Sequence, residues 1–384
     1  MASHDESLQE VEKHLANHPD DASAWNAKAV IQAQQEKFGP ALRSLDRAIS
    51  LNPEFAAAHS NRGRVLLALG SNKAADALKS FERALELESG NLVVVRDKAA
   101  CLRLLGRNEE ELACYRQLSE AIPNEWGVWF RMADIELELG RFRSALQKYD
   151  KALELQKDLV PAYIHRAIAL AMLDRFKEAI KSAQTATKLD PKNVQAWLIL
   201  GDVNVRAERY KAAMKALNRA SEIDPTDSSI ENTMGMVSYH DGKLDDAVTY
   251  LRRAIAKSRK NTTALRNLGL ILMEKEEWQE ATEVFDQLTS QVKDDPDIYD
   301  AQATNLARLD DFCSAYTAWE RARKLYKKRE EEHEAERVTL LARAARINCS
   351  RQKKALKAEK EREKMQRRFS DRHATRRRKE SLEE

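Results

Sequence analysis

The stretch from Lys188 to Trp197, KLDPKNVQAW, decides the fold of this chain. It places Pro191 after a charged segment of helical composition, with an aromatic ring six residues further on. Proline lacks a backbone N–H and disfavours helix in the residue before it, so Pro191 ends a helix. Near-copies of the stretch, SLNPEFAAAH from Ser50 and EIDPTDSSIE from Glu222, indicate that the same joint recurs along the chain.

A repeating unit of 34 residues accounts for the copies. Pro191 and Pro225 are 34 residues apart, and Pro53 and Pro123 occupy the same slot in other units. Each unit also carries a small, a large and a small residue at spacings of four and three, which puts them on one face of a helix. The nine copies of this trio are Ala41, Leu45, Ala48; Ala77, Phe81, Ala84; Glu111, Tyr115, Leu118; Ala145, Tyr149, Ala152; Ala179, Ala183, Ala186; Ala213, Leu217, Ala220; Ala247, Leu251, Ala254; Ala281, Phe285, Leu288; and Ala315, Trp319, Ala322.

Each trio follows another small residue, which is expected on the preceding helix. It lies twelve residues upstream in eight copies and fourteen in the ninth, because GSNKAADA, from Gly70, lengthens one turn by two residues. A Gly or Ala at this position in every copy suits the close crossing of two antiparallel helices. These residues are Ala29, Gly63, Ala99, Ala133, Ala167, Gly201, Gly235, Gly269 and Ala303. An aromatic slot four residues earlier is filled by Trp25, Trp129, Tyr163, Trp197 and Tyr299, but not by His59, Val95, Glu231 or Leu265.

Composition favours an all-α protein. The 384 residues include only 11 Gly and 8 Pro, and helix-forming Ala, Leu, Lys, Glu and Arg dominate. Four cysteines, Cys101, Cys114, Cys313 and Cys349, are scattered without a CxxC pair, so we expect buried or idle thiols in a reducing interior. The amino terminus lacks a secretory-type apolar stretch, and no run approaches the ~20 apolar residues of a membrane span.

The trios, the small residue before each of them and the terminal proline resemble the tetratricopeptide repeat family over about residues 20–327. The resemblance implies an all-α, right-handed α-solenoid of about nine helix-turn-helix repeats, in which the first helix of each repeat, helix A, lines a concave groove. Residues 1–19 and 328–350 are expected to be capping helices, and residues 351–384 a basic tail, helical or disordered. Glu111, Leu118 and Glu231 depart from the family's pattern.

Catalysis is not expected, because the chain carries no phosphate loop, nucleophile elbow or metal motif. We therefore predict a non-enzymatic protein with no cofactor and no metal. His14 and His18 share one helical face, but the acids beside them favour a solvated surface over a metal site.

The groove is the better candidate for function. Its middle part would hold a mixed-charge stretch followed by apolar side chains, which could bury a partner peptide or helix while arginines face acidic groups. An equally weighted alternative is that the apolar residues pack against neighbouring helices or a C-terminal segment. The predicted groove residues are Arg64, Arg96, Asp97, Arg131, Asp134, Ile164, His165, Ile168, Leu198 and Ile199.

Some family members grip the C-terminal carboxylate of heat-shock chaperones with Lys and Asn side chains from three successive repeats. Asn61 matches the middle Asn of that motif, but the preceding repeat offers Asn26 and Val30, and the following one offers Val93 and Asp97. We therefore predict no carboxylate clamp for chaperone tails. No membrane partner is expected either.

The charge is unevenly divided along the chain. From Arg343 to Glu384, sixteen Lys or Arg oppose seven Asp or Glu, a net charge of +9 that leaves −6 for residues 1–342. The basic residues could neutralise phosphates of RNA or another polyanion without sequence preference, although a solvated helix interrupted by glutamates is slightly favoured. The residues of this possible nucleic-acid tail are Lys353, Lys354, Arg367, Arg368, Arg376, Arg377, Arg378 and Lys379.

Two functional hypotheses follow. The first is a scaffold or adaptor that binds a partner protein in the groove and supports the assembly of a complex. The alternative is an RNA- or ribonucleoprotein-associated protein that is attached through its tail. We expect a cytoplasmic location, or a nuclear one in a eukaryote because of the run from Arg376 to Lys379.

Overall fold

The computed structural model describes the backbone of residues 2–380 and the side chains of residues 5–367. The predicted all-α class is confirmed, since residues 2–380 form helices and no strand. None of the helices in this range has the length and apolar character that a membrane crossing needs. The helices are α1 (Ala2–Asn17), α2 (Ala22–Gln34), α3 (Phe38–Leu51), α4 (Ala56–Leu69), α5 (Ala74–Leu87), α6 (Leu92–Leu104), α7 (Asn108–Ala121), α8 (Trp126–Glu138), α9 (Phe142–Leu155), α10 (Val160–Ala171), α11 (Phe176–Leu189), α12 (Val194–Arg206), α13 (Tyr210–Ile223), α14 (Ser228–His240), α15 (Leu244–Lys257), α16 (Thr262–Glu274), α17 (Trp278–Gln291), α18 (Pro296–Arg308), α19 (Phe312–Lys328) and α20 (Glu332–Glu380).

The helices fall into two compact units, Met1–Lys192 and Asn193–Glu384. Unit 1 contains α1 to α11, and unit 2 contains α12 to α20. From α2 to α19 the helices alternate as predicted: each even-numbered helix is a helix A, and the next is the helix B that packs against it. The insertion in the second hairpin forms a short 3-10 turn, Ser71–Lys73, after Gly70 with a φ of 144°.

The trios form the interior of the hairpins. Tyr149 of α9, like Phe81 of α5, is 0% exposed. The small residue of helix A lies directly against the large residue of the trio: a Cβ atom on Gly63 of α4 would lie only 2.6 Å from Cε1 of Phe81. In unit 2, a Cβ on Gly235 of α14 would lie 2.7 Å from Cγ of Leu251. Carbon atoms do not pack this closely, so these crossings require glycine.

The joints between hairpins explain the stretch KLDPKNVQAW. The residue before the proline accepts, through one side-chain oxygen, the N–H of the residue two positions later at Asn52, Asp190 and Asp224. Such Asx turns bend the chain between helices. In the joint before α8, the indole Nε1 of Trp129 donates to the carbonyl oxygen of Pro123 at 2.8 Å. Nε2 of His59 lies 3.0 Å from the carbonyl oxygen of Pro53. His59 therefore makes the same contact as Trp129, although it is not one of the residues predicted to fill the aromatic slot.

The long helix α20 has two different halves. Its buried residues, Ala335, Val338, Ala342, Ala345 and Cys349, recur at spacings of three and four and pack toward α19. From Ser350 to Arg367 every residue is exposed. The boundary predicted at residue 350 therefore falls inside one continuous helix, at a change in burial rather than in secondary structure.

The prediction of four idle thiols is wrong for two of the cysteines. Cys313 of α19 and Cys349 of α20 form a disulfide, with their Cα atoms 4.8 Å apart. They are 36 residues apart in sequence, and the antiparallel packing of α19 on α20 brings them together. Cys101 and Cys114 are free and buried, as expected.

Candidate partner-binding surface

Two of the predicted groove arginines in unit 1 already hold carboxylates. Nε of Arg64 on α4 lies 2.6 Å from Oδ2 of Asp97 on α6. Arg96 binds both oxygens of Glu125 at 2.9 Å, and this hydrogen bonding keeps the pKa of the Glu125 carboxyl below its usual range. The side chains of Arg96 and Glu125 are 48% and 40% exposed. Exposed ion pairs are weak, so an acidic group of a partner could replace the Glu125 carboxylate.

Arg131 has a different role. Its Nε and Nη2 donate to the two carboxylate oxygens of Glu111 at 2.9 and 3.2 Å. The Glu111 side chain is 0% exposed and that of Arg131 is 16% exposed. This buried pair joins α7 to α8 and explains why a carboxylate can stand where most trios have Ala. Arg131 is therefore a structural residue more than a free groove contact.

Asp134 and His165 are brought together in a polar and aromatic cluster. Oδ1 of Asp134 accepts the hydroxyl of Tyr149 at 2.7 Å and lies 2.8 Å from Nδ1 of His165. Burial and the Asp134 charge raise the pKa of Tyr149. The ring of Phe130 stacks on His165, with centroids 5.7 Å apart. Tyr149 and Phe130 were not predicted in this cluster, since the spacing of the trios assigns Tyr149 only to the core.

The predicted apolar residues are less available than expected. Ile164 of α10 is 5% exposed, so its prediction as an exposed groove contact is wrong: it packs inside unit 1. Ile168 is half-buried. In unit 2, Leu198 of α12 is half-buried against the core that includes Leu217, and Ile199 is half-buried as well. For Ile164 and Leu198 the structure favours the alternative of packing against neighbouring helices.

A cavity of about 320 Å³ opens between α2 and α4 in unit 1. Its residues are Ala29, Val30, Ala33, Gln34, Leu45, Asn61, Arg64 and Val65. Most of these are apolar, and Asn61 and Arg64 add polar groups. Nδ2 of Asn61 donates to Oδ1 of Asn26 at 2.9 Å, which ties the two A helices together. Asn61 was considered from the sequence only for a carboxylate clamp. The cavity was not predicted, because its apolar residues belong to two different repeats.

One face of the described part of the tail is rich in lysine. This lysine face consists of Lys353, Lys357, Lys360 and Lys364 at helical spacing, beside Leu356 and Glu361. Of the predicted tail residues, Lys353, Lys354 and Arg367 are exposed on α20. The side chains of Arg368, Arg376, Arg377, Arg378 and Lys379 lie outside the described residues. The count of charges did not predict this face, although the lysine spacing of four, three and four could have revealed it.

Two family descriptions match the chain. Residues 76–341 match the family "Cilia and flagella-associated protein 70 C-terminal domain". Residues 33–75 match "Tetratricopeptide repeat". Together they cover most of the repeats that were identified from the trios.

Relatives and a solved structure agree with these matches. Anaphase-promoting complex subunit 7 of Dictyostelium discoideum is 31% identical over 110 residues, which are 29% of this chain and 18% of that protein. Protein FlbA of Caulobacter vibrioides is 25% identical over 146 residues, 38% of this chain and 24% of that protein. The chain thus spans about a quarter or less of these curated relatives. The crystal structure of yeast Tom70 is 16% identical in sequence and superimposes with a TM-score of 0.52 over 90% of this chain and 86% of the Tom70 chain. This is a similarity of fold.

Proposed function

Because the chain belongs to the tetratricopeptide-repeat proteins, in the family of the cilia and flagella-associated protein 70 C-terminal domain, we propose that it is a non-enzymatic scaffold. Its A helices would bind a segment of a partner protein and support the assembly of a complex. The observation that carries the proposal is the cavity between α2 and α4, an apolar recess with hydrogen-bonding groups beside it.

The cavity suits an apolar side chain of the partner. Its volume of about 320 Å³ is at the lower end for ligand sites, enough for a few side-chain groups and too small for a folded element. Burying one leucine-sized side chain there would contribute about 1.5–3 kcal/mol. Beside it, Arg64 already binds Asp97 and would orient a neighbouring carboxylate or carbonyl of the partner.

Filling the cavity tests the proposal. Ala33→Trp places an indole in the recess, whereas Ala57→Trp adds the same ring at an exposed position of α4 and serves as the control. We expect Ala33→Trp to reduce the partner recovered from native lysate by at least about tenfold, the equivalent of losing one buried side chain. The measurement is quantitative mass spectrometry of captured proteins, with circular dichroism to verify unchanged helix content.

The control decides the interpretation. If Ala33→Trp and Ala57→Trp capture the same proteins in the same amounts, the cavity is not the binding site. In unit 2, Ile199 keeps exposed surface, and Ile199→Asp extends the test to that unit. Leu198 is unsuitable for the same test because it packs against the core, where a charge would disturb folding.

A second candidate function, binding of RNA or another polyanion by the tail, is favoured by the lysine face of α20. Four lysines present charges along about 16 Å of helix, with one acid, Glu361, on the same face. Phosphate contacts of this kind need no base recognition, which agrees with the lack of aromatic side chains from Arg351 to Arg367.

A further inference from the structure

The disulfide between Cys313 and Cys349 lies where α20 leaves the body of unit 2. Cys313 is in the first turn of α19 and is half-buried, and Cys349 is 8% exposed. Their Cα separation of 4.8 Å is within the range that an unforced disulfide requires. The pair closes the α19–α20 hairpin at the end opposite its turn at Arg329 to Glu331.

Cys349 is the last buried residue of α20 among those described. Beyond it, the one hydrogen bond from the exposed half to the rest of unit 2 that we identify joins Nε2 of Gln352 to the carbonyl oxygen of Asp310 at 2.6 Å. The buried residues that immediately precede it, Ala342 and Ala345, are small and bury little apolar area. The cross-link is therefore the strongest attachment at the base of the exposed half.

We propose that Cys313 and Cys349 are a reversible redox modification site, which exchanges with low-molecular-weight thiols and their disulfides and thereby fixes or releases the base of the exposed half of α20. Cys313, the more accessible of the two, reacts first. Its thiolate attacks a disulfide such as oxidised glutathione, forms a mixed disulfide and releases one thiol.

The Cys349 thiolate then attacks the Cys313 sulfur of the mixed disulfide, and a second thiol leaves. The protein gives up two electrons and two protons, and the two released thiols carry them away. Two reduced thiols, or one dithiol, reverse the reaction. Oxidation closes a loop across the hairpin, so opening of its free end becomes less favourable.

The other two cysteines provide an internal contrast. Cys101 and Cys114 are buried, and burial raises the pKa of both thiols, which lowers their thiolate fraction and reactivity. The Cys101 sulfur also donates to the carbonyl oxygen of Ala74 at 2.9 Å. Cys349 is no more exposed than Cys114, so the contrast lies with the half-buried Cys313, where we expect the reaction to begin.

The experiment uses the full chain in glutathione buffers of graded oxidised-to-reduced ratio. Free thiols are alkylated, the protein is unfolded and reduced, and the newly released thiols receive a second label that mass spectrometry locates. Hydrogen exchange of amides 346–352 is followed in the same samples. We expect a Cys313–Cys349 link in oxidising buffer, and exchange at least about tenfold faster once it is reduced.

The Cys313→Ala variant provides a second test, because it cannot form the disulfide in any buffer. This variant should show the faster exchange of amides 346–352 under both oxidising and reducing conditions. The proposal is overturned if the oxidised wild type shows four alkylatable thiols. It is also overturned if exchange of 346–352 is the same in oxidised wild type, reduced wild type and Cys313→Ala.

Discussion

Glu111 and Glu231 break the repeat pattern, yet both are buried and neutralised. Glu111 is held by Arg131 through two hydrogen bonds. Glu231 is 6% exposed and accepts hydrogen bonds from Lys257 and from the hydroxyl of Ser221. Removing a carboxylate from water is unfavourable unless a charge and hydrogen bonds replace the solvent. Each departure therefore depends on one particular basic partner in a neighbouring helix.

Replacing Arg131 should expose that dependence. Arg131→Met leaves the Glu111 carboxylate buried without a partner, and we expect the free energy of unfolding to fall by about 3–5 kcal/mol. Adding Glu111→Ala, which restores the small residue of the other trios, should recover more than half of the loss. Urea denaturation followed by circular dichroism measures both variants.

Arg96→Met is the matched control. Arg96 also binds a carboxylate through two hydrogen bonds, but both partners are largely exposed, so the expected loss is at most about 1 kcal/mol. Equal losses for the Arg96 and Arg131 variants would contradict the distinction between an exchangeable surface pair and a structural buried pair.

For single residues, the sequence predicts which positions are buried better than it predicts which side chains contact each other. The trios were identified correctly as core residues because spacings of four and three follow from helix geometry alone. Arg131 and Glu111 are 20 residues apart, and their contact depends on how α7 packs on α8. Ile164 was predicted on the exposed face for the opposite reason: the family's geometry suggested that face, whereas local packing covers the side chain.

Some helix pairs cross so closely that they leave no room for a side chain at the crossing. At the crossing of α4 and α5, a methyl group on Gly63 would overlap the ring of Phe81, which is completely buried and cannot move into solvent. Interiors are packed about as densely as organic crystals, so the helices would have to separate to admit it. The nine small residues predicted on the A helices thus set the distance between helices.

Gly63→Val should destabilise the protein by about 1–3 kcal/mol through overpacking. Gly39→Ala is the control, because a Cβ at Gly39 of α3 would meet no atom within 4 Å. Thermal unfolding followed by circular dichroism compares them: the Val variant should melt lower than wild type, and the Ala variant should melt within a few degrees of it. A Gly63→Val protein as stable as wild type would refute this account of the crossing.

The disulfide could not be predicted because it depends on the lengths of the two helices that carry its cysteines. Helix α19 has 17 residues where the other B helices have 14, and α20 continues far beyond the expected cap. The register between Cys313 and Cys349 depends on both lengths and on the turn that joins them. The predicted end of the cap at 350 was nevertheless useful, because burial changes at that point.

For the whole chain, the division of charge is the property most open to test. The excess of +9 from Arg343 to Glu384 stands against −6 for residues 1–342. Within the described part of α20, the lysine face concentrates part of this charge along one line. A polyanion bound there would release counterions, and its affinity would fall steeply with salt.

Two variants that remove the same number of charges distinguish binding by the lysine face from binding through net charge alone. One replaces Lys353, Lys357, Lys360 and Lys364 with Gln; the other replaces Arg351, Lys354, Arg362 and Arg367 with Gln. Binding of a fluorescent duplex RNA is measured over a range of salt concentrations. We expect the first variant to lose about three units of the slope of log K against log salt, and the second about one.

Two results would count against the lysine face. If both variants weaken binding equally, net charge alone accounts for it. If the wild type shows no salt-dependent binding, the tail is a solvated helix, the interpretation that the sequence slightly favoured.

The part of α20 beyond Cys349 would also act as a spacer. From Arg351 to Glu380 its backbone is helical, and at 1.5 Å per residue it extends for about 45 Å. A flexible coil with the same number of residues would let the distance between its two ends vary. A helix instead keeps a molecule bound at its far end at a nearly fixed distance from unit 2. A molecule bound at the far end of α20 would therefore lie about 45 Å from Cys349 along the helix axis. Shortening α20 by whole turns would change that distance in steps of about 5.4 Å.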